Sequence, residues 1–495
     1  MHLRPRPLPF VRPLPRPYPA WLSLLVFILL AVVLRWGSFF ISVINHDEST
    51  YIVIADELLR GEVYLRDAID TKPIGIFWLY ALLIKLTGGS IFLLRLAAST
   101  FVALGGWLLA LAAVRAGGNS VAGWTAGTVY IMMCSVYTYY GMSPNTEIFF
   151  NVFTLGAVAL AVAPRTYDRD RDPFWHWPVA GLLLGVGFII KPFVAAEALA
   201  VGLFLVYFYV RRGEYRRLFL GGLVLVGTFL LPQLVVVAYY FHHDLLSALW
   251  FYTVEVGGAY PIELPWYLRL KFMGDYLLRY APFILLGGVA RAQWKRSKSG
   301  GSWHLERFLL LQFILVTVVV LLTGKRFGHY QIQLHPVIAL WVGLWVGRAW
   351  GNWRHWQRVA VGTVVLAVGI GLAHALYYAK KKDEPREIAD YLAPRLSPGD
   401  TFFAINGFQI AYHLLDRPVP TPYVHSSLLF FDHHLRAFQI DEQSVARSLI
   451  DDPRVRYVVS RVDDPEADTP LARELLQHFR LAGKINETLV VWERH

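Results

Sequence analysis

The sequence predicts an all-α polytopic membrane protein with about eleven spanning helices and a small C-terminal α/β domain. Three observations support this fold class. Of 495 residues, 56% are hydrophobic and 17% are charged, and the mean hydropathy is +0.42, which exceeds what a soluble globule of this size carries. Apolar runs of membrane-spanning length recur along the chain. From about residue 380 onward the chain becomes charged, with short apolar segments between helical-looking stretches.

The first apolar run, Trp21 to Ile44, follows a segment rich in Pro and Arg, residues 1–19. The run is too long for the apolar region of a signal peptide and lacks a small-residue cleavage site. We therefore expect an uncleaved first spanning helix, preceded by a disordered cytoplasmic tail.

Further apolar segments complete the predicted bundle. They are Ile91 to Val114, Ala122 to Tyr140, Ile148 to Ala163, Trp177 to Ile190, Phe193 to Val210, Leu218 to Phe241, Tyr280 to Ala290, Phe308 to Thr323, Ile332 to Val346 and Val359 to Tyr377. Lys and Arg form short clusters in alternate loops, which predicts that these loops are cytoplasmic. The Lys and Arg residues behind the net charge of +11 are thus spread over several loops and do not form one patch. This distribution argues against nucleic-acid binding.

Three regions are expected. Residues 1–19 form the cytoplasmic tail, residues 20–379 the transmembrane module with a first extracytoplasmic loop at 45–90, and residues 380–495 an extracytoplasmic α/β domain. We expect strands at Thr401 to Ala404, Tyr457 to Val459 and Leu489 to Trp492, and helices at Glu384 to Leu392, Gln443 to Leu449 and Leu471 to Phe479.

The first extracytoplasmic loop holds two candidate catalytic carboxylates, Asp47 and Glu48, directly after the first span. An amphipathic helix from Ile52 to Leu59 would lie in the membrane interface beside them. A carboxylate there can lose water and keep cationic partners, which tunes a general base. The alternative is that both are ordinary solvated residues at a helix exit.

Candidate phosphate-binding cations come from separate loops. Pro73 restrains the preceding Lys72 to an extended conformation, and Lys is a compact charge suited to phosphate. Lys191 precedes a proline at the outer turn of a tight helical hairpin, where an ionisable group is a functional hypothesis. Lys72 alone also fits a snorkelling lysine, and Lys191 a paired residue of the bundle.

A second cationic segment contains Arg326, His329 and Tyr330 at the outer end of a span. Positive charge there opposes the tendency of Lys and Arg to lie in cytoplasmic loops. An anionic lipid phosphate would explain it, since all three side chains donate hydrogen bonds. Binding of ordinary lipid headgroups stays the alternative.

Three residues are candidates for acceptor or metal binding. Glu147 follows Asn145 at the start of a helix and fits either a cavity carboxylate or a favourable first-turn acid. Asp70 lies two residues before Lys72, and His243 lies in a later outside loop. Tandem histidines such as His242 and His243 also occur as simple interfacial residues.

Together these motifs resemble the GT-C glycosyltransferases, over about residues 20 to 380. The resemblance rests on Asp47-Glu48 after the first helix, Thr71-Lys72-Pro73, Asn145-Thr146-Glu147, and the segment from Lys325 to Tyr330. The chain is most similar to the bacterial branch related to protein O-mannosyltransferases and the aminoarabinose transferase of lipid A.

The resemblance implies an inverting glycosyltransferase of the cytoplasmic (inner) membrane. Its donor would be a polyprenyl-phosphate-linked sugar and its acceptor a hydroxyl of a glycolipid, a cell-envelope glycan or a protein on the outer face. Asp47 would be the general base, and Lys72, Arg326 and His329 would neutralise the departing phosphate. Thr71 stands where the aminoarabinose transferase has a metal-binding carboxylate, so a divalent metal ion stays an open cofactor. The alternative function is a transporter or flippase of lipid-linked glycans, although no internal repeat supports it.

Overall fold

Helices dominate the computed structural model, which describes residues 20–116, 118–137, 141–162, 174–259, 264–296, 303–325, 328–350, 356–425, 427–462 and 468–495. The predicted tail at 1–19 and Arg326 lie outside these residues. The helices of the bundle are α1 Ala20–Arg35, α2 His46–Arg60, α3 Ile74–Thr87, α4 Ile91–Arg115, α5 Ser120–Met133, α6 Thr146–Ala161, α7 His176–Ile190, α8 Ala195–Arg212, α9 Tyr215–His242, α10 Leu246–Trp250, α11 Val256–Ala259, α12 Trp266–Arg279, α13 Ala281–Arg296, α14 Trp303–Leu322, α15 His335–Ala349 and α16 Trp356–Ala379.

Each predicted span contains a helix, which confirms the polytopic all-α fold. Within the described residues, 6 helices are long and apolar enough to cross a membrane. The other predicted spans correspond to α5, α6, α7, α13 and α15, which have 14 to 16 residues. Close helix approach holds the bundle together. At Gly181 and Gly185 of α7 an added Cβ would collide with the backbone of α9, so these helices meet through small residues, as is common in membranes.

The first helix is shorter than the predicted run to Ile44. α1 ends at Arg35, and a 3₁₀ turn at Trp36–Phe39 follows. The buried Arg35 guanidinium donates to the carbonyls of Cys134 (2.6 Å), Gly141 (2.7 Å) and Met142 (2.8 Å). Hydropathy cannot detect this arrangement, in which one arginine satisfies backbone acceptors of another loop.

Helix α2 begins earlier than the predicted amphipathic stretch. The Asn45 side chain accepts a hydrogen bond from the Glu48 backbone N–H at 3.0 Å and caps the helix. The cap places Asp47 and Glu48 in the first turn, where negative charge is favourable. At the other end, Gly61 adopts a left-handed conformation with φ 100° and terminates α2.

The C-terminal region contains a mixed four-stranded sheet of order β1-β2-β4-β3. Its strands are β1 Thr401–Ala404, β2 Val455–Arg461, β3 Phe479–Lys484 and β4 Leu489–Arg494, and its helices are α17 Glu384–Leu392, α18 Ile410–Leu415, α19 Ser427–Phe430, α20 Asp432–Ala437, α21 Glu442–Asp451 and α22 Pro470–Leu476. β1 and β2 are parallel, and the other pairs are antiparallel. The three predicted strands are confirmed, whereas β3 was not anticipated.

Helix α18 is fastened to α2 by charged groups. His413 Nδ1 lies 2.7 Å from Asp56 Oδ2, and its Nε2 lies 2.7 Å from the Gly89 carbonyl oxygen. Both partners are acceptors, so both ring nitrogens carry protons and the imidazole is a cation. Burial opposes that charge, but the Asp56 carboxylate outweighs it and raises the pKa of His413. Arg60 adds an ion pair to Asp416 at 2.7 Å.

The His413 contacts predict a pH-dependent attachment of the C-terminal region. The folded pKa is raised above the ordinary 6.5, so the stabilisation is fully present below pH 6.5 and is lost as pH rises through the raised value. At pH 6, His413→Leu should lower amide-exchange protection in α18 about tenfold or more, because it removes two hydrogen bonds of a charged ring. Asp56→Asn should give a similar loss. Unchanged protection in both variants would contradict the assignment.

Candidate active site

An ion pair between two segments forms the centre of the site. Asp47 lies in the first turn of α2, and Lys72 lies just before Pro73, which precedes α3. The Lys72 Nζ is 3.0 Å from Asp47 Oδ1 and 3.8 Å from Asp70 Oδ2. The Asp47 and Lys72 side chains are 17% and 18% exposed, so the pair is largely desolvated yet open to a ligand.

The 3₁₀ segment Gly328–Leu334 closes one side of this ion pair. His329 Nε2 lies 3.7 Å from Asp47 Oδ2. The next residue, Tyr330, presents its ring 3.9 Å from the Lys191 ammonium, a distance at which a cation is attracted to an aromatic face. Lys191 also forms a buried ion pair with Glu147 at the start of α6.

The electrostatics of the centre depend on Lys72. Burial alone would raise the pKa of Asp47, but the adjacent Lys72 ammonium, with His329 and His425, lowers it below the ordinary range. For Lys72, burial favours the neutral amine, and the carboxylates of Asp47 and Asp70 outweigh it and raise the pKa. Both groups are therefore charged at neutral pH.

The structure brings the predicted residues together in one cluster, which consists of Asp47, Asp70, Lys72, Glu147, Lys191, His329 and Tyr330.

Glu48 points away from this cluster. Its carboxylate accepts two hydrogen bonds from the buried Arg95, at 2.7 and 3.1 Å, and Arg95 also donates to the Ser38, Ile41 and Ser42 carbonyls. Within the described residues, the ring contacts of His243 are with Tyr239 and His242, and not with the cluster.

The C-terminal region supplies residues that sequence reasoning did not assign to the site. Gln409 Nε2 donates to the His46 carbonyl at 3.3 Å and to Thr50 Oγ1 at 3.1 Å. The ring of His425 lies 6.2 Å from that of His46. A histidine two residues before a serine is a weak sequence signal, and only the folded chain brings it beside α2.

The described acidic residues of the site are paired with lysines. In the part of the chain that the structure describes, no group of three or more His, Cys, Asp or Glu side chains is arranged to hold a metal ion. Asp47 and Asp70 instead face Lys72, and Glu147 faces Lys191. The carboxylates that could serve as oxygen ligands are thus paired with ammonium groups.

The fold matches the GT-C fold, as the motifs implied. ArnT from Cupriavidus metallidurans bound to undecaprenyl phosphate superposes with a TM-score of 0.67 at 15% identity, covering 95% of this chain and 97% of that one. The oligosaccharyltransferase of Archaeoglobus fulgidus in its apo form gives a TM-score of 0.55 at 13% identity, covering 90% and 70%.

The sequence itself is similar to an undecaprenyl phosphate-alpha-4-amino-4-deoxy-L-arabinose arabinosyl transferase of Pectobacterium carotovorum subsp. carotovorum (strain PC1). The two are 25% identical over 357 residues, which is 66% of this chain. The matched part spans 62% of that relative's length. No family model matches the chain.

The contrast between Glu48 and Asp47 predicts different mutant behaviour. Arg95→Met leaves the Glu48 carboxylate buried without its partner and should destabilise the protein by about 3–5 kcal/mol. Asp47→Asn keeps the shape of a partly open residue and leaves Asp70 facing the Lys72 ammonium, so it should change stability by only about 1 kcal/mol. The measurement is the unfolding midpoint in a sodium dodecyl sulfate titration of protein in mild detergent. Equal stability of the two variants would show that Arg95–Glu48 is not the anchor of α2.

Proposed function

We propose that the chain is a glycosyltransferase that moves a sugar from a polyprenyl phosphate to an acceptor hydroxyl. One observation carries this proposal: a partly open carboxylate, Asp47, lies between the Lys72 ammonium and the His329 imidazole, with Lys191 close by. Such a site can hold a phosphate and remove a proton, the two tasks that transfer from a sugar phosphate requires.

We assign binding of the donor phosphate to the cationic side chains of the site. Lys72 supplies a charge already aimed by Pro73, and Lys191 is held between Tyr330 and Phe193, whose rings lie 3.9 and 4.7 Å from its ammonium. Burial lowers the pKa of His329 to about 4, so the imidazole is neutral at pH 7 and donates from one nitrogen only. Arg326, three residues before His329 in the sequence, is proposed as a further phosphate ligand.

We assign removal of the proton from the acceptor hydroxyl to Asp47. While Asp47 pairs with Lys72, its lowered pKa makes it a weak base. A bound donor phosphate competes for the Lys72 ammonium and weakens the Asp47–Lys72 pair, so the basicity of Asp47 increases when the donor is present.

A single displacement accounts for the transfer. The acceptor oxygen attacks the anomeric carbon, its proton passes to Asp47, and the bond to the phosphate oxygen breaks with the electron pair leaving on polyprenyl phosphate. Inversion follows because no enzyme nucleophile intervenes. Glu48 serves as a positioning residue, since its carboxylate is engaged by Arg95.

We place the protein in the cytoplasmic membrane, with the N-terminus inside and the site and C-terminal region outside, following the loop charges. Residues 20–379 form the membrane module and 380–495 the outer region on this proposal. A flippase would need charged groups along a path through the bundle. Described buried pairs such as Lys191–Glu147 and Arg95–Glu48 instead involve residues at or near loops on the Asp47 side, which favours a transferase.

Substitution of the ion pair tests the proposal. With radiolabelled polyprenyl phosphate sugars and purified protein, Asp47→Asn should lower kcat about 10²–10⁴-fold, the usual contribution of a general base. Lys72→Ala should mainly raise the donor KM by weakening phosphate binding. The readout is release of free polyprenyl phosphate. If wild-type protein binds the donor and releases none with any acceptor offered, the transferase proposal fails.

Metal dependence is tested separately. If Lys72 and Lys191 supply the positive charge at the phosphate, dialysis against EDTA should change donor turnover less than twofold. Added Mg²⁺ or Mn²⁺ should then give no large stimulation. A loss of turnover that one divalent ion restores would contradict the assignment of this role to the lysines.

A further inference from the structure

His425 joins the site from the C-terminal region. The Ile69 N–H donates to the Pro422 carbonyl at 2.7 Å, and Ile69 pairs with Tyr423 as an isolated parallel bridge. This bridge lays the chain before His425 along the segment that carries Asp70 and Lys72. His425 consequently lies close enough to Asp47, Asp70 and Lys72 for their charges to act on its pKa.

The tautomer of His425 is fixed by Ser427. The Ser427 backbone N–H donates to His425 Nδ1 at 3.3 Å, and Ser427 Oγ lies 2.7 Å from the same nitrogen. A backbone N–H can only donate, so Nδ1 is an acceptor and the ring proton resides on Nε2. His434 Nδ1 lies 2.9 Å from the Ser427 carbonyl oxygen and restrains the serine.

His425 is a neutral donor at physiological pH. Burial lowers its pKa, with Lys72 and His46 acting in the same direction against the carboxylates of Asp70 and Asp47. Within the described part of the chain, the hydrogen bonds of this half-buried ring are all at Nδ1. The Nε2–H is therefore left for a ligand.

The chemistry of this side of the site differs from that around the lysines. His46 is exposed and His425 is half-buried, whereas Lys191 is buried against Glu147. A neutral N–H matches an uncharged oxygen, and the ammonium groups match phosphate. The two lysines thus mark the part of the site for the leaving phosphate, with the neutral His329 beside them, and His425 marks a part for an uncharged acceptor.

We propose that His425 binds the acceptor, donating from Nε2–H to one hydroxyl oxygen while a neighbouring hydroxyl gives its proton to Asp47. This inference rests on the proposed function and adds a substrate class. Two adjacent hydroxyl groups are typical of a sugar, so the preferred acceptor is a glycolipid or glycan. A serine or threonine side chain offers a single hydroxyl and would leave Nε2–H without a partner, which costs binding free energy.

The test compares two acceptors in nanodiscs: a synthetic monoglucosyl diacylglycerol and a serine-rich peptide. His425→Phe should raise the acceptor KM for the glycolipid roughly 3- to 10-fold, the loss of one neutral hydrogen bond, and leave the donor KM within twofold. His425→Gln places an amide N–H near the Nε2 position and should restore most of the affinity. His478→Phe, at an exposed histidine just before β3, is the matched control and should behave as wild type.

Ser427 is a positioning residue on this inference. Ser427→Ala removes the hydroxyl that orients the ring at Nδ1, although the backbone N–H still fixes the tautomer, and should raise the glycolipid KM. Ser427→Thr retains the hydroxyl and should not raise it. Wild-type turnover combined with unchanged glycolipid KM in His425→Phe would overturn the role of His425 alone. Preference for the peptide would overturn the acceptor class, and wild-type protein that releases no polyprenyl phosphate would overturn the proposed function together with this inference.

Discussion

The Asp47–Lys72 ion pair sets the constraint under which the rest of the site is arranged. Both side chains are more than four-fifths removed from solvent, and a charge in such surroundings is costly unless an opposite charge stands beside it. Each segment that meets at the pair therefore has to be held in position. Pro73 directs the lysine, the Asn45 cap directs α2, and the 3₁₀ segment brings His329 to the second oxygen of the carboxylate.

Two adjacent acids perform different tasks because successive residues of an α-helix point about 100° apart. Asp47 faces the cluster, and Glu48 faces the bundle and binds Arg95. Arg95 in turn satisfies three carbonyls of the chain between α1 and α2. Arg95 thereby fixes the irregular segment that follows α1, and the position of the Asp47 carboxylate depends on the anchoring of its neighbour Glu48.

The membrane bundle and several site positions could be predicted from local sequence signals. Asp47 and Lys72 lie next to helix starts, and His329 and Lys191 lie at outer ends of apolar runs, where basic residues are uncommon. Charge and hydropathy were therefore enough to select them. His425 could not be found in this way, because its proximity to α2 depends on the Ile69–Tyr423 bridge between distant parts of the chain. The early end of α1 was missed for a related reason, since the partners of Arg35 lie in a loop far along the sequence.

The different charges of Lys72 and His425 also imply an order of events on the proposed function. In the absence of donor, Lys72 holds the pKa of Asp47 low, so an acceptor hydroxyl or a water molecule near Asp47 keeps its proton. Donor phosphate draws the ammonium toward itself, and the carboxylate becomes a better base only then. The side of the site that carries His425 contains a neutral donor and can bind an acceptor without disturbing this balance. Deprotonation of the acceptor thus depends on donor binding, because Lys72 pairs either with Asp47 or with the donor phosphate.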